Sequence, residues 1–215
     1  MDTQIIEATD FTRLREVAEE IRKGVVVAAK TDTNYGIFCS PFSEHACSQL
    51  YEMKKRDASK PLSLFISGPD DWKRWAYRPR SIDIEGLINA FWPGPLNLVL
   101  RKKDVVPDWV TSGMATVSVV YNNSPVVNLL SIFSGIPLAA TSANLSGSMD
   151  SGGLVDFNTA QQHIGRQVDY MIQDFGAGNT TMSSTIVSLV DEPRILRQGD
   201  LTADRIREVV PNLVD

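Results

Sequence analysis

The run Val25-Val26-Val27-Ala28-Ala29 is short, uninterrupted and rich in β-branched residues. Such a run suits a strand buried on both faces, which demands covering layers on either side of a sheet. It follows a segment whose apolar residues Leu14, Val17, Ala18 and Ile21 fall on one helical stripe, opened by Asp10 as a cap and closed by Gly24. The alternation continues. A helix is expected from Ser43 to about Lys55, strands over Leu62 to Ile66, Leu96 to Leu100 and Thr116 to Val120, a helix near Val126 to Phe133 and a strand over Pro137 to Ala140. Strands over Val168 to Ile172 and Thr185 to Val190 and a closing helix from Thr202 to Val209 complete the pattern. This mixture predicts an α/β layered domain. The close spacing of strands after residue 165 permits antiparallel pairing, and therefore a mixed sheet.

The 215 residues contain no repeat, low-complexity tract or linker-like stretch, so a single domain over 1–215 is expected. An apolar fraction of 43% suffices for a sizeable core and excludes global disorder. With 21 basic against 26 acidic side chains the formal charge is −5. No apolar run approaches the ~20 residues of a bilayer span, and the start lacks the basic-then-apolar order of a signal peptide. No membrane association and a cytoplasmic location are therefore expected. Cys39 and Cys47 are too few for a disulfide framework, and no second Cys/His pair completes a zinc site, so no structural metal is expected. A Gly-x-x-x-x-Gly-Lys-Ser/Thr phosphate loop is absent, and Gly176-Ala177-Gly178 is too weak a substitute. His45 and His163 stand in no nucleophile or ligand motif, which leaves little material for a histidine triad.

What remains are polar clusters at strand ends, where open α/β sheets place their ligands. Lys30-Thr31-Asp32-Thr33-Asn34-Tyr35-Gly36 follows the first strand directly; it reads either as a holder of a small polar substrate or as an ordinary strand-to-strand turn. Lys54, Lys55, Arg56 and Lys60 gather cations at a helix end. Compensation of the helix dipole is one explanation, and an anion site suited to a polyphosphate is the other. Phe91-Trp92-Pro93-Gly94-Pro95-Leu96 reads as a packed corner, and Ser142 to Gly153 as a mobile loop beside a sheet edge. Ser183-Ser184-Thr185 precedes a strand, and Arg197-Gln198-Gly199 follows the next. Pro69-Asp70-Asp71-Trp72-x-x-Trp75 predicts a surface helix with two half-buried tryptophans.

In this order, the clusters resemble the YrdC-like family, which includes threonylcarbamoyl-AMP synthases and the YciO paralogues. The matching segments are Thr-Asp-Thr-x-Tyr-Gly at 31–36, Lys-x-Arg at 54–56, Lys-Pro-Leu at 60–62, Phe-Trp-Pro-Gly-Pro-Leu at 91–96, Ser-Ala-Asn-Leu-Ser-Gly at 142–147, Ser-Thr-Ile-Val at 184–187 and Ile-Leu-Arg-x-Gly at 195–199. The resemblance implies a twisted open mixed sheet with flanking helices and a concave basic ligand face. It implies a nucleotidyltransferase that condenses L-threonine, bicarbonate and ATP, with Mg²⁺ carried by ATP, into threonylcarbamoyl-adenylate and pyrophosphate. A downstream threonylcarbamoyl transferase then modifies the adenosine beside certain tRNA anticodons. By the same resemblance, Arg56, Lys60, Thr116, Ser142, Asn144, Ser151 and Arg197 would contact ATP, and Lys54, Arg56 and Lys60 would neutralise the leaving pyrophosphate. Lys30, Thr31, Thr33, Tyr35, Ala140 and Ser184 would form the amino-acid subsite. No protein nucleophile or metal-ligand set is required. The chain ends just after its closing helix and looks like the family's short form.

Four positions depart from the family pattern. Lys30 stands in place of a Pro, Phe65 of a His, Val120 of an Arg, and Asn34 of a small apolar residue. An apolar Val120 leaves a substrate carboxylate without that cation, and Lys30 is the candidate replacement. These substitutions favour, as a second expectation, a paralogue that adenylates a different amine or carbamate. A third is an RNA-binding module whose basic patch near Lys54 to Lys60 grips tRNA or another RNA.

Overall fold

A computed structural model of the chain describes residues 2–54, 59–80, 82–144, 155–174 and 183–214. The first half runs β1 (Gln4–Glu7), α1 (Phe11–Lys23), β2 (Val27–Lys30), β3 (Tyr35–Cys39), α2 (Glu44–Lys54), β4 (Ser63–Phe65), α3 (Trp72–Trp75), α4 (Ile84–Phe91) and β5 (Leu96–Arg101). It continues with α5 (Asp108–Thr111), β6 (Thr116–Val120), α6 (Pro125–Ser134), β7 (Leu138–Ser142), α7 (Phe157–Ile164), β8 (Tyr170–Gln173), β9 (Thr185–Ser188), β10 (Arg194–Arg197) and α8 (Ala203–Arg207). Local chemistry explains the helix ends. The Asp10 carboxylate accepts from the Arg13 amide at 3.0 Å, and Gly24 closes α1 in the left-handed region at φ 103°. Ser124 caps α6 in the same manner, with Pro125 in its first turn and Gly135 at its end.

The strands form one mixed sheet in the order β1-β8-β2-β3-β7-β4-β6-β5-β9-β10. Pairs β2–β3, β3–β7, β4–β7, β5–β6 and β9–β10 are antiparallel. Pairs β1–β8, β2–β8, β4–β6 and β5–β9 are parallel. Alternation along the strands divides the core in two. On one face Val27, Ala29, Phe38, Leu138 and Ala140 are buried under Leu14, Val17 and Ile21 of α1 and Val126, Val127 and Leu130 of α6. The opposite face, with Ile37, Cys39, Leu64, Leu98, Val117, Val119 and Val187, packs against α2, α4, α7 and α8.

The α1/α6 layer covers only part of its face. It ends near Phe65, whose ring meets Phe38 edge-on at 5.2 Å between centroids. Beyond it, on β4, β6, β5 and β9, the residues of that face change character: Ser63, Thr116, Ser118, Val99, Ile186 and Ser188 are half-buried, while their strand neighbours on the other face are fully buried. A half-covered sheet face with a polar floor is the platform on which the candidate site is built.

Several expectations are corrected. β1, β3, α4, α5 and α7 carry no periodic signal read from the sequence; β3 begins inside the segment read as a polar cluster, because Tyr35 and Gly36 pair with Lys30 and Ala29. Of the strands after residue 165, only β9–β10 pair antiparallel, and β8 and β9 join their other neighbours in parallel. Trp72 and Trp75 are not half-buried surface residues: at 2% and 5% exposure they are core, on a helix of one turn. The Phe91–Leu96 corner is packed as expected, with the Trp92 indole donating to the Leu96 carbonyl at 2.7 Å. Most of the loop expected after Ser142, at 145–154, and Gly176–Gly178 lie outside the described residues.

Candidate active site

The β2–β3 turn is built by Thr31. Its hydroxyl donates to the Asn34 carbonyl at 2.6 Å and accepts from the Thr33 and Asn34 amides at 3.1 and 3.0 Å, which consumes its capacity. Thr31 therefore pins the turn, and the buried Thr33 sets its hydroxyl 3.2 Å from that of Thr31. The Asn34 side chain accepts from the Val155 amide at 2.6 Å, so the residue that departs from the family pattern clamps the segment before α7.

This turn reaches across the sheet to the segment that follows β6. The Asp32 carboxylate accepts from the Asn123 amide at 3.2 Å and from the Asn122 side chain, and the Ser124 hydroxyl donates to the Lys30 carbonyl at 2.7 Å. Burial raises the Asp32 carboxyl above its ordinary range, against the pull of the bonds from Asn123 and Asn122. Lys30 ends β2, half-buried at the rim.

A second group assembles at the end of β7. Lys54, the last residue of α2, is 2% exposed, and its ammonium donates to the Ser142 carbonyl at 2.6 Å, the Ser142 hydroxyl at 2.8 Å and the Asn144 side-chain oxygen at 3.1 Å. The Ser142 hydroxyl in turn donates to Asn144 at 2.7 Å. Residues 88 positions apart are thus joined through one buried cation. Thr116 is half-buried on the open face opposite Arg101, and Lys60 is exposed just before β4.

The third group is the β9–β10 corner. The Arg197 guanidinium places Nε and Nη2 at 3.1 and 2.6 Å from the Ser184 carbonyl. Thr185 donates to the Leu201 carbonyl at 2.7 Å and accepts from the Gly199 amide at 2.9 Å. Gly199 has no substitute here, since a Cβ would lie 2.1 Å from the Ser183 carbonyl oxygen.

The geometry thus brings together Lys54, Ser142 and Asn144, joins Arg197 to Ser184 at the β9–β10 corner and sets Thr116 on the half-covered face, whereas Thr33 and Ala140 are buried, at 6% and 3% exposure. Tyr35 stands apart: it alternates to the opposite face, where its hydroxyl donates to the Ile172 carbonyl at 3.1 Å and burial pushes its pKa up to about 12. Arg56 and Ser151 lie outside the described residues. None of the polar clusters read from the sequence includes the floor itself. Ser63, Asn97 and Ser118 form a hydrogen-bonded group across β4, β6 and β5, and their signal was legible as polar residues inside otherwise apolar strands.

A mixed sheet, covered by α1 and α6 over part of one face and by further helices on the other, defines an α/β layered domain. The family model Sua5/YciO/YrdC, described as "Telomere recombination", matches residues 19–199, and the chain belongs to that family. A relative from Methanocaldococcus jannaschii is 32% identical over 194 residues, covering 90% of this chain and 88% of its own length. The threonylcarbamoyl-AMP synthase of Pyrococcus abyssi is 33% identical over 208 residues, covering 95% of this chain; the chain spans 59% of that relative. The crystal structure of P. abyssi Sua5 complexed with L-threonine superposes with a TM-score of 0.88 at 29% identity, over 100% of this chain and 62% of that one. No helix among the described residues is long and apolar enough to cross a membrane.

Proposed function

We propose that this protein is an ATP-dependent threonylcarbamoyl-AMP synthase, converting L-threonine, bicarbonate and ATP into threonylcarbamoyl-adenylate and pyrophosphate. The observation that carries the proposal is the buried Lys54–Ser142–Asn144 cluster at the end of β7, the strand beside the half-covered stretch of β4, β6, β5 and β9. The threonylcarbamoyl-AMP synthase name of the Pyrococcus relative and the threonine bound to P. abyssi Sua5 support the same substrate class.

In this reaction the amine nitrogen attacks the bicarbonate carbon and water leaves, giving a carbamate. A carbamate oxygen then attacks the α-phosphorus while the bond to the β-phosphate breaks and pyrophosphate departs. Positioning and charge neutralisation do the work, and no covalent enzyme intermediate is needed. Thr33, Ala140 and Ser184 border the amine, and Lys30 supplies a cation at the rim. Thr116, Ser142, Asn144, Ser151 and Arg197 hold ATP, whose Mg²⁺ arrives as part of that substrate. Lys54, Arg56 and Lys60 offset the charge that grows on the leaving pyrophosphate. The adenylate passes to a downstream transferase acting on tRNA, consistent with a cytoplasmic protein.

The test is ATP conversion to AMP and pyrophosphate by the purified chain with bicarbonate and Mg²⁺, with and without L-threonine. Threonine-dependent pyrophosphate release supports the assignment; ATP binding without threonine-dependent release overturns it. A second reading rests on one rung of the open face, where Phe65 pairs with a fully buried Val120. That apolar rung favours a different amine, and release with another amine in place of threonine would establish it. Salt-dependent RNA retention without ATP turnover would instead mark an RNA-binding module.

A further inference from the structure

Across the open face, strand order places β7, β4, β6, β5 and β9 side by side. Ala140 on β7 pairs with Ser63 on β4, Ser63 with Ser118 on β6, and Asn97 on β5 with Ile186 on β9, two residues beyond Ser184. A ligand seated on the half-covered stretch from β4 to β9 therefore lies over Ser63, Ser118 and Asn97. These three are bonded to one another: Ser63 donates to the Ser118 hydroxyl at 3.0 Å, and the Asn97 amide nitrogen donates to Ser63 at 3.2 Å and to Ser118 at 3.1 Å. The inventory then leaves two functions over. Ser118 accepts twice and retains its own hydroxyl hydrogen, and the Asn97 amide oxygen is buried with no hydrogen-bond partner in a residue 6% exposed. Buried amide oxygens are rarely left unmet, and one that is unmet on the floor of a binding face points to a donor that arrives with the ligand.

We propose that Asn97, braced by Ser63 and Ser118, determines specificity in the amine subsite. This rests on the carbamate-adenylation reading above. Its amide oxygen accepts from, and the Ser118 hydroxyl donates to, an uncharged hydroxyl or carboxamide on the amine substrate. The adjoining half-buried Phe65, backed by the buried Val120, takes the apolar part of the same side chain. A complementary donor and acceptor held in a buried frame discriminates strongly against an isostere that lacks the polar group, because the frame is then left unsatisfied.

The experiment compares pyrophosphate release from ATP by wild type, Asn97→Leu and Asn97→Asp with L-threonine, L-serine, L-asparagine, L-valine and ethanolamine, each with bicarbonate and Mg²⁺. Wild type is expected to favour a hydroxyl- or carboxamide-bearing amine over L-valine by about 100-fold or more in kcat/KM. Asn97→Leu is expected to reduce that ratio to about threefold by raising the KM of the polar amine, with the KM for ATP within twofold and the melting temperature unchanged or higher. Asn97→Asp keeps an acceptor oxygen and is expected to restore most of the discrimination. An unchanged ratio in Asn97→Leu overturns the inference alone, as does a variant that melts early and loses ATP and amine affinity together, which marks a structural role. A wild type that turns over with no amine in the panel while binding ATP overturns the adenylation reading and this inference with it.

Discussion

The Lys54 ammonium sits 2.6 Å from the Ser142 carbonyl and 2.8 Å from the Ser142 hydroxyl, closing the end of α2 onto the last residue of β7. One buried side chain thereby fixes both the position of a cation and the exit of the strand that leads into the 145–154 segment.

Lys54→Met keeps the length and apolar stem of the side chain and removes its donors. Hydrogen bonds from a charged group contribute about 1.5–3 kcal/mol, and Ser142 and Asn144 lose theirs together. The variant is expected to be about 2–3 kcal/mol less stable in urea unfolding. Pyrophosphate release should fall about 100-fold, at the low end of what removing one oxyanion-stabilising donor costs. A variant with full stability and full activity would show that the cluster serves neither purpose.

Asp32 gives a pH signature. Burial raises its folded-state pKa above 3.8, so the folded protein holds this proton to higher pH than the unfolded chain does. Stability from this group is complete below pH 3.8 and is lost as pH rises through the raised value. Asp32→Asn keeps an acceptor for only one of the two donors, Asn122 or the Asn123 amide, but does not ionise. Its unfolding free energy should start from a constant offset against wild type at the acid end and gain on it increasingly as pH rises toward neutrality. Parallel profiles across the whole range would refute this account of Asp32.

Gly199→Ala drives a methyl group to 2.1 Å from the Ser183 carbonyl oxygen, a contact with backbone that cannot rotate away. Overpacking of this kind costs about 1–3 kcal/mol. The expected result is a loss of that size in thermal or urea unfolding, together with weaker ATP binding, because the Arg197–Ser184 corner must shift. Gly113→Ala serves as the control. It meets nothing within 4 Å and bears only the strain of its φ of 73°.

The thiols of Cys39 and Cys47 lie 3.7 Å apart and are fully buried. Hydrogen bonding with Cys47, and then burial, push the Cys39 thiol well above its ordinary value, which suppresses the reactive thiolate. Iodoacetamide at pH 8 should leave both unmodified in the folded protein and alkylate both in denaturant, as read by intact mass. Rapid labelling of either in the folded state would contradict the packing of β3 against α2.

Periodicity alone identified α1 and its two caps, the strand over Thr116 to Val120 and the helix of Val126 to Phe133, since helical stripes and β-branched runs are local properties. It failed where the local signal is weak or shared. β1 is four residues with one buried side chain, and β3 is buried throughout and opens in a segment rich in turn formers. The polar clusters were visible as clusters, but their roles were not: Thr31 and Tyr35 read like Thr33 and Ser184, and only hydrogen-bond partners mark Thr31 as the pin of its turn and Tyr35 as a core residue. Ser63, Asn97 and Ser118 passed unnoticed because each interrupts its strand singly.

Backbone propensity and side-chain period act over a few residues, so they already select which segments are strand or helix and which chemical groups stand at their ends. Long-range packing sets the rest: β7, β4, β6, β5 and β9 lie side by side, α1 and α6 cover only part of their face, and the Asp32 turn meets Asn122 from 90 residues away. Those outcomes depend on which long loops close and which faces bury together, a balance of chain entropy against non-local packing that no local window contains.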